Sequence, residues 1–254
     1  MTQPNKTHRV GLIVPSSNVT METEIPALLR GRESILPDRF TFHSSRMRMK
    51  NVTKEELERM DDDSLRCAAE LSDAAVDVQA YACLVAIMSR GKGYHLRSAE
   101  RLHATTVENG HPAPVITSAG ALVDALHTMN AKRVSIICPY MKPLARLVAD
   151  YIEAEDIEVK DYLALEIPDN LEVARQDSAE PAELWKRLDT KNVDVIVASA
   201  CVQMPSLASI PMIEAASGLP VVSASIATTW AIQNALGIQP SAPNGGALLN
   251  GALT

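Results

Sequence analysis

"VDVIVASAC", residues 193–201, sets the reading of this chain. Val193 to Ala200 are small or β-branched except for Asp194, and the run stops at Cys201, which opens the turn in "SACVQMPS" (199–206). A near-continuous apolar run reads as a strand covered on both faces, hence as part of a parallel sheet. A lone buried cysteine is by default a small core hydrophobe. A cysteine at the tip of such a strand asks for another reason. The same stretch occurs earlier as "VDVQAYAC" (76–83), one residue shorter and also ending in a thiol.

Working outward, the repeat widens. "RVGLIVP" (9–15) matches "RVSIICP" (133–139), and "PVITSAGAL" (114–122) resembles "PVVSASIAT" (220–228). Strands are predicted at 8–14, 39–43, 76–83, 113–117, 133–138, 157–164, 193–200 and 220–224, with helical periods between them. The clearest helix starts at a Thr53–Glu56 capping box and carries Leu57, Met60, Leu65 and Leu71 as an apolar stripe. Strand–helix alternation implies an α/β fold with parallel sheets. Ligands of such sheets bind beyond the strands' carboxyl ends. Two units facing each other about a pseudo-twofold would bring Cys83 and Cys201 to one cleft. An eight-stranded barrel fits the same strand count.

The 254 residues are 46% hydrophobic and 22% charged, ordinary for a globular chain with a sizeable core. A formal net charge of −7 argues against nucleic acid as a partner. It also means that an anionic substrate must be held by local donors. No run of about 18 apolar residues predicts a membrane span. "MTQPNKTHRV" (1–10) shows no apolar stretch of a secretory signal. Cys67, Cys83, Cys138 and Cys201 lie far apart without a CxxC pair, as expected of reduced thiols in a cytoplasmic protein.

Other groups sort by position. Cys67 on a helix and Cys138 within a strand are expected in the core. Cys83 and Cys201, duplicated at strand ends, suit a nucleophile and a proton donor. Short polar residues in turns are often only caps. At the mouth of the same cleft, however, Asn18 of "PSSN" (15–18), Tyr140 of "PYMK" (139–142) and Asn170 of "PDN" (168–170) could donate to a carboxylate. "RGKGYH" (90–95) lacks phosphate-loop spacing, so no nucleotide is expected, and its two glycines suggest a lid. His95, His103 and His111 are too spread for a metal cluster. "DDD" (61–63) reads as a solvated helix face.

"VPSSNVTMETEIP" (14–26), "YACLVAIMS" (81–89) and "SACVQMPS" (199–206) together resemble maleate cis-trans isomerases of the Asp/Glu racemase superfamily. The likeness extends through "RFTFHSSRMRM" (39–49) and "MKPL" (141–144) to nearly the whole chain. It implies two Rossmann-like or flavodoxin-like units, each with a parallel four-stranded sheet and the active site between them, in place of the barrel. It also implies an exchanged helix, so that 1–117 plus 225–254 make one unit and 118–224 the other. Amino-acid racemases of the superfamily place Asn-Thr after the first cysteine and a Thr-His type sequence after the second. Leu84-Val85 and Val202-Gln203 stand there instead. Arylmalonate decarboxylases keep only the second cysteine, and this chain has both.

The resemblance therefore implies isomerisation of maleate to fumarate with no cofactor and no metal. Cys83 would be the nucleophile, needing its thiolate form, and Cys201 the acid/base. Asn18, Tyr140 and Asn170, with the backbone N–H groups of Leu84, Val85 and Val202, would hold the dicarboxylate. A homodimer in the cytoplasm, serving nicotinate degradation, is also implied.

Overall fold

The protein is described here by a computed structural model covering residues 6–49 and 54–251. The first half runs β1 (Thr7–Pro15), α1 (Met21–Glu33), β2 (Arg39–Met47), α2 (Lys54–Asp73), β3 (Val78–Tyr81), α3 (Leu84–Met88), α4 (Tyr94–Glu108) and β4 (Val115–Thr117). Helix α5 (Ser118–Thr128) leads into β5 (Arg133–Cys138), α6 (Lys142–Glu153), β6 (Glu158–Ala164), α7 (Asn170–Ala174) and α8 (Pro181–Leu184). Then come β7 (Val195–Ser199), α9 (Ile210–Ser217), β8 (Val221–Ser223), α10 (Ala224–Ala235) and α11 (Gly246–Leu249). All eight predicted strands are present. The Thr53 half of the expected capping box lies outside the described residues, while Leu57, Met60 and Leu71 of the α2 stripe are buried.

The strands form two separate parallel sheets, ordered β2-β1-β3-β4 and β6-β5-β7-β8, so the barrel is excluded. Each is the order of a doubly wound sheet, whose crossover point lies between the first and third strands of the unit. The repeated sequence is a repeated set of bonds. Asp77 accepts the Arg9 N–H at 2.7 Å, and Asp194 accepts the Arg133 N–H at 2.8 Å. These aspartates interrupt their apolar runs because they pin one strand's start to its neighbour's. Pro114 and Pro220 cannot donate to a ladder, yet their carbonyls accept from Gln79 and Ile196 at 2.9 and 3.0 Å. Thr117 and Ser223 then cap α5 and α10 through the N–H groups of Gly120 and Ile226.

The extra residue of "VDVIVASAC" shows as an irregularity: the β7–β8 register shifts between Val197 and Ser199. Both third strands nevertheless end alike. Ala82 N–H donates to Ile13 O at 2.9 Å and Ala200 N–H to Ile137 O at 3.0 Å. The next residue in each case is the cysteine. Helix α10 packs on α1, α5, β3 and β4, crossing back from the end of the second sheet, while α11 lies against β8 and α9.

Two expectations change here. Asp61 is not on a solvated face: it is 2% exposed and accepts the Tyr94 hydroxyl at 2.5 Å, with Tyr81 Oη at 3.4 Å. Arg90 and Arg101 approach it at 3.5 and 3.7 Å. A carboxylate can sit this deep because cations and hydroxyls surround it. Segment 90–95 is consequently tied to α2 through Arg90 and Tyr94, and none of its residues lines the cavity described below. His95 is a structural residue, its Nδ1 at 2.6 Å from the Tyr151 hydroxyl.

Candidate active site

A narrow cavity opens between the carboxyl ends of the two sheets. Cys83, Cys201, Asn18, Leu84, Val85, Tyr140, Asn170 and Val202 all line it. The structure thus brings together every residue singled out from the sequence for the site. Pro15, Met49 and Gln203 join them, and sequence reasoning missed all three. Gln203 carried a signal: a side-chain amide in the otherwise apolar turn after Cys201. A second hollow lies beside Arg48, Glu56, Arg59 and Asp63; its described liners are all charged and include no nucleophilic thiol or hydroxyl.

Each liner has a local cause. Cys83 follows β3 after Ala82 and immediately precedes α3, with φ 101° and ψ 71°. A non-glycine residue there costs about 1–3 kcal/mol and persists only where its surroundings enforce it. Here the β1–β3 ladder fixes one side and the start of a buried helix the other. The first N–H groups of that helix, Leu84 and Val85, have no carbonyl a turn earlier to bond. On the opposite side, Ser199 Oγ donates to Cys201 O at 2.8 Å and lies 3.3 Å from Met204 O. That bond curls the chain back after β7 and holds Cys201 at the cavity.

Burial disfavours the thiolate at both cysteines. Burial, with smaller contributions from Cys201 and Asp61, pushes Cys83 up to about 12 against a partial pull from the Ala86 N–H. Burial also raises Cys201, where the Tyr140 hydroxyl and the N–H groups of Gln203 and Met204 pull the other way. The expectation that helix N–H groups favour a thiolate is thus outweighed by desolvation at the buried strand ends. Cys138 and Cys67 are raised by burial too, at 1% and 0% exposure, as core residues should be.

The two asparagine liners keep unused capacity. Asn18 Oδ1 accepts the Met21 N–H at 3.0 Å, a capping bond, while its Nδ2 has no protein partner among the described residues. Asp169, not Asn170, caps α7. Asn170 Nδ2 spends one hydrogen on Ser17 Oγ at 2.8 Å and retains a second. Tyr140 Oη donates its one hydrogen to Ala200 O at 3.3 Å and would have to leave that long bond to reach a ligand. No described liner is charged, and among the described residues no group of three or more His, Cys, Asp or Glu is arranged to hold a metal ion. Two thiols with neutral donors around them can add sulfur and a proton across an activated double bond between carboxylates.

Comparison with known proteins agrees with this chemistry. The arylmalonate decarboxylase family model matches residues 10–249. A maleate isomerase of Pseudomonas putida is 61% identical over 96% of this chain and 98% of its own. A cysteine-to-alanine variant of a Pseudomonas putida maleate isomerase, crystallised with maleate, superimposes with a TM-score of 0.96 at 62% identity, covering 97% of this chain and 99% of that one. A Nocardia farcinica maleate cis-trans isomerase variant bearing a covalent succinylcysteine intermediate gives 0.92 at 42% identity, covering 96% and 99%.

Proposed function

The chain belongs to the maleate isomerase family, and from that premise we propose that its two-cysteine cavity converts maleate to fumarate through a succinyl-cysteine intermediate. The observation that carries this reading is the convergence of Cys83 and Cys201 on one cavity lined by neutral donors.

A carbon–carbon double bond does not rotate, so it must become single for a moment. Once Cys83 has released its proton to solvent, its thiolate Sγ adds to one alkene carbon. The electron pair moves to the neighbouring carbon, which takes the proton of the Cys201 thiol. This leaves a succinyl group on Cys83 and a thiolate on Cys201. Rotation about the new single bond separates the two carboxylates. Cys201 then recovers its proton, the double bond reforms as fumarate, and Cys83 leaves as thiolate. No electron is gained or lost overall, and the reaction needs no oxidant.

The carboxylates would be held by Asn18, Asn170 and Tyr140 with the N–H groups of Leu84, Val85 and Val202. Donors without charge suit this task. A buried lysine or arginine would hold the substrate more tightly on both sides of the barrier, which does not speed the chemical step. We further propose the division into 1–117 plus 225–254 and 118–224, supported by the packing of α10 on β3 and β4. Homodimeric assembly, a cytoplasmic setting and a role in nicotinate degradation rest on the family resemblance. Among the described residues no helix is long and apolar enough to cross a membrane.

The test is a fumarate assay on purified protein without added cofactor, run beside aspartate, glutamate and an arylmalonate. Maleate alone should turn over; racemisation or decarboxylation instead would overturn the reading. Intact-mass spectrometry with maleate assigns the roles. No succinyl adduct is expected in Cys83→Ala, while Cys201→Ala should bind maleate without turning it over; a succinyl-sized mass increase persisting in Cys83→Ala reverses the two cysteines.

A further inference from the structure

Gln203 lies two residues past Cys201, is 2% exposed and lines the cavity, yet its side-chain amide has nothing left for a ligand. Oε1 accepts the Val19 N–H at 3.0 Å and the Thr20 N–H at 3.4 Å. Nε2 donates to the carbonyls of Ser17 and Asn170, both at 2.8 Å. A primary amide has two hydrogens and two lone pairs to give, and these four partners use them all. Its orientation is fixed as well. Flipping the amide would set its NH₂ against two N–H donors and its oxygen against two carbonyls.

The circuit closes around it. Thr20 Oγ1 donates to the Gln203 backbone carbonyl at 2.7 Å, and Asn170 Nδ2 donates to Ser17 Oγ at 2.8 Å. Three segments therefore meet at one amide: the loop after β1, the turn after β7 and the first residue of α7. Asn18 sits between Ser17 and Val19, both bonded to Gln203, and Asn170 is bonded directly. We infer that Gln203 is a positioning residue that sets the separation of Asn18 and Asn170, and so the length of dicarboxylate the cavity accepts. This rests on reading the cavity as a maleate site. A buried network satisfied at every atom is stiff, and one broken member loosens the rest. The thiols hang from their own strand ends and do not depend on this amide's side chain.

Two substitutions test it. Gln203→Met keeps the shape and removes all four bonds; Gln203→Glu keeps the acceptor and loses both donors. Gln203→Met should raise KM for maleate about tenfold or more, the scale of one hydrogen bond to a charged group, with a smaller change in kcat. The ratio of inhibition constants for glutarate and succinate should fall towards one, because the spacing no longer discriminates length. Gln203→Glu should lie between, its defect easing at lower pH as the protonated carboxyl regains one donor. Thr20→Val, which removes only the outer bond, should shift KM in the same direction by less and serves should Gln203→Met not fold. A lowered melting temperature with wild-type KM and an unchanged inhibitor ratio would make Gln203 a structural residue only and overturn the inference. Failure of the wild type to isomerise maleate is a separate result that sinks the catalytic reading. The positioning role is then read by protection of Cys201 from iodoacetamide by maleate. A midpoint unchanged in Gln203→Met, or no protection in the wild type, overturns it.

Discussion

Cys83 and Cys201 line the same cavity from the ends of β3 and β7, in unlike electrostatic company. Burial raises both, but Cys201 has a tyrosine hydroxyl and two backbone N–H groups drawing it back, whereas Cys83 has one N–H drawing it back and both Cys201 and Asp61 pushing it higher. Only the thiolate alkylates, so iodoacetamide labelling of the free enzyme should accelerate about tenfold per pH unit from pH 7 upward with no early plateau. Cys83 and Cys201, at 9% and 7% exposure, should label ahead of Cys67 and Cys138, and maleate should protect them. Peptide mapping after limited treatment reads the order. Labelling of Cys67 or Cys138 first would sink the two-thiol site.

Asn18 has two jobs on two atoms, and they can be separated. Asn18→Ala loses both the cap to Met21 and the free Nδ2. It should cost about 1.5–3 kcal/mol in transition-state binding, roughly 10- to 150-fold in kcat/KM, and lower the melting temperature. Asn18→Asp keeps the acceptor that caps the helix but sets a negative charge against a dianion. It should melt near the wild type while losing more activity than Asn18→Ala. Steady-state kinetics beside thermal melts decide. Unchanged kinetics in both variants would make Asn18 a capping residue and nothing more.

The sequence made the pseudo-twofold legible because each repeated motif is a short-range bond made twice. Arg9 with Asp77 and Arg133 with Asp194 fix strand starts; Thr117 and Ser223 cap the helices that follow the fourth strands. The site residues followed from strand ends and family likeness. What escaped is what depends on distant partners. Helical periodicity places Asp61 beside Asp62 and Asp63, but its burial is decided by Tyr94, 33 residues away. Gln203 is bound by Val19 from 184 residues away, and no local pattern encodes that bond.

The Asp61 carboxylate offers a stability test away from the cavity. Asp61→Asn keeps the volume and an acceptor for Tyr94, but removes the charge that Arg90 and Arg101 face. Both arginines are partly exposed, at 30% and 44%, so water screens much of the loss. A decrease of about 1–2 kcal/mol is expected, or about 2–8 °C in melting temperature for a chain of this size. None of these residues lines the cavity, but the Asp61 charge also weighs against the Cys83 thiolate, so kcat should equal or exceed the wild-type value at temperatures where the variant is folded. A melting temperature equal to the wild type would show that the buried charge contributes nothing net.

Glu24 should give a pH signature of the opposite kind from an exposed, ion-paired acid. It is 6% exposed, and its Oε1 accepts the N–H groups of Ser206 and Leu207 at 2.5 and 2.9 Å, joining α1 to the turn beyond Cys201. Burial lifts its pKa above the ordinary value of 4.5, and the hydrogen bonds from Ser206, Leu207 and Ser225 offset only part of that rise. The unfolded chain then gives up the proton more readily than the folded one. The neutral carboxyl's contribution is fully present below about pH 4.5 and is lost as pH rises through the higher folded value. Glu24→Gln keeps the side chain's shape and its acceptor oxygen but cannot titrate, so it serves as the reference. Between the two pKa values the wild type should lose stability relative to Glu24→Gln by up to about 1.4 kcal/mol per pH unit. Urea unfolding of both proteins at half-unit steps from pH 4 to 8 measures the difference. A difference flat across that range, or one that turns in favour of the wild type as pH rises, would show that the bonds from Ser206 and Leu207 outweigh the cost of burying the charge.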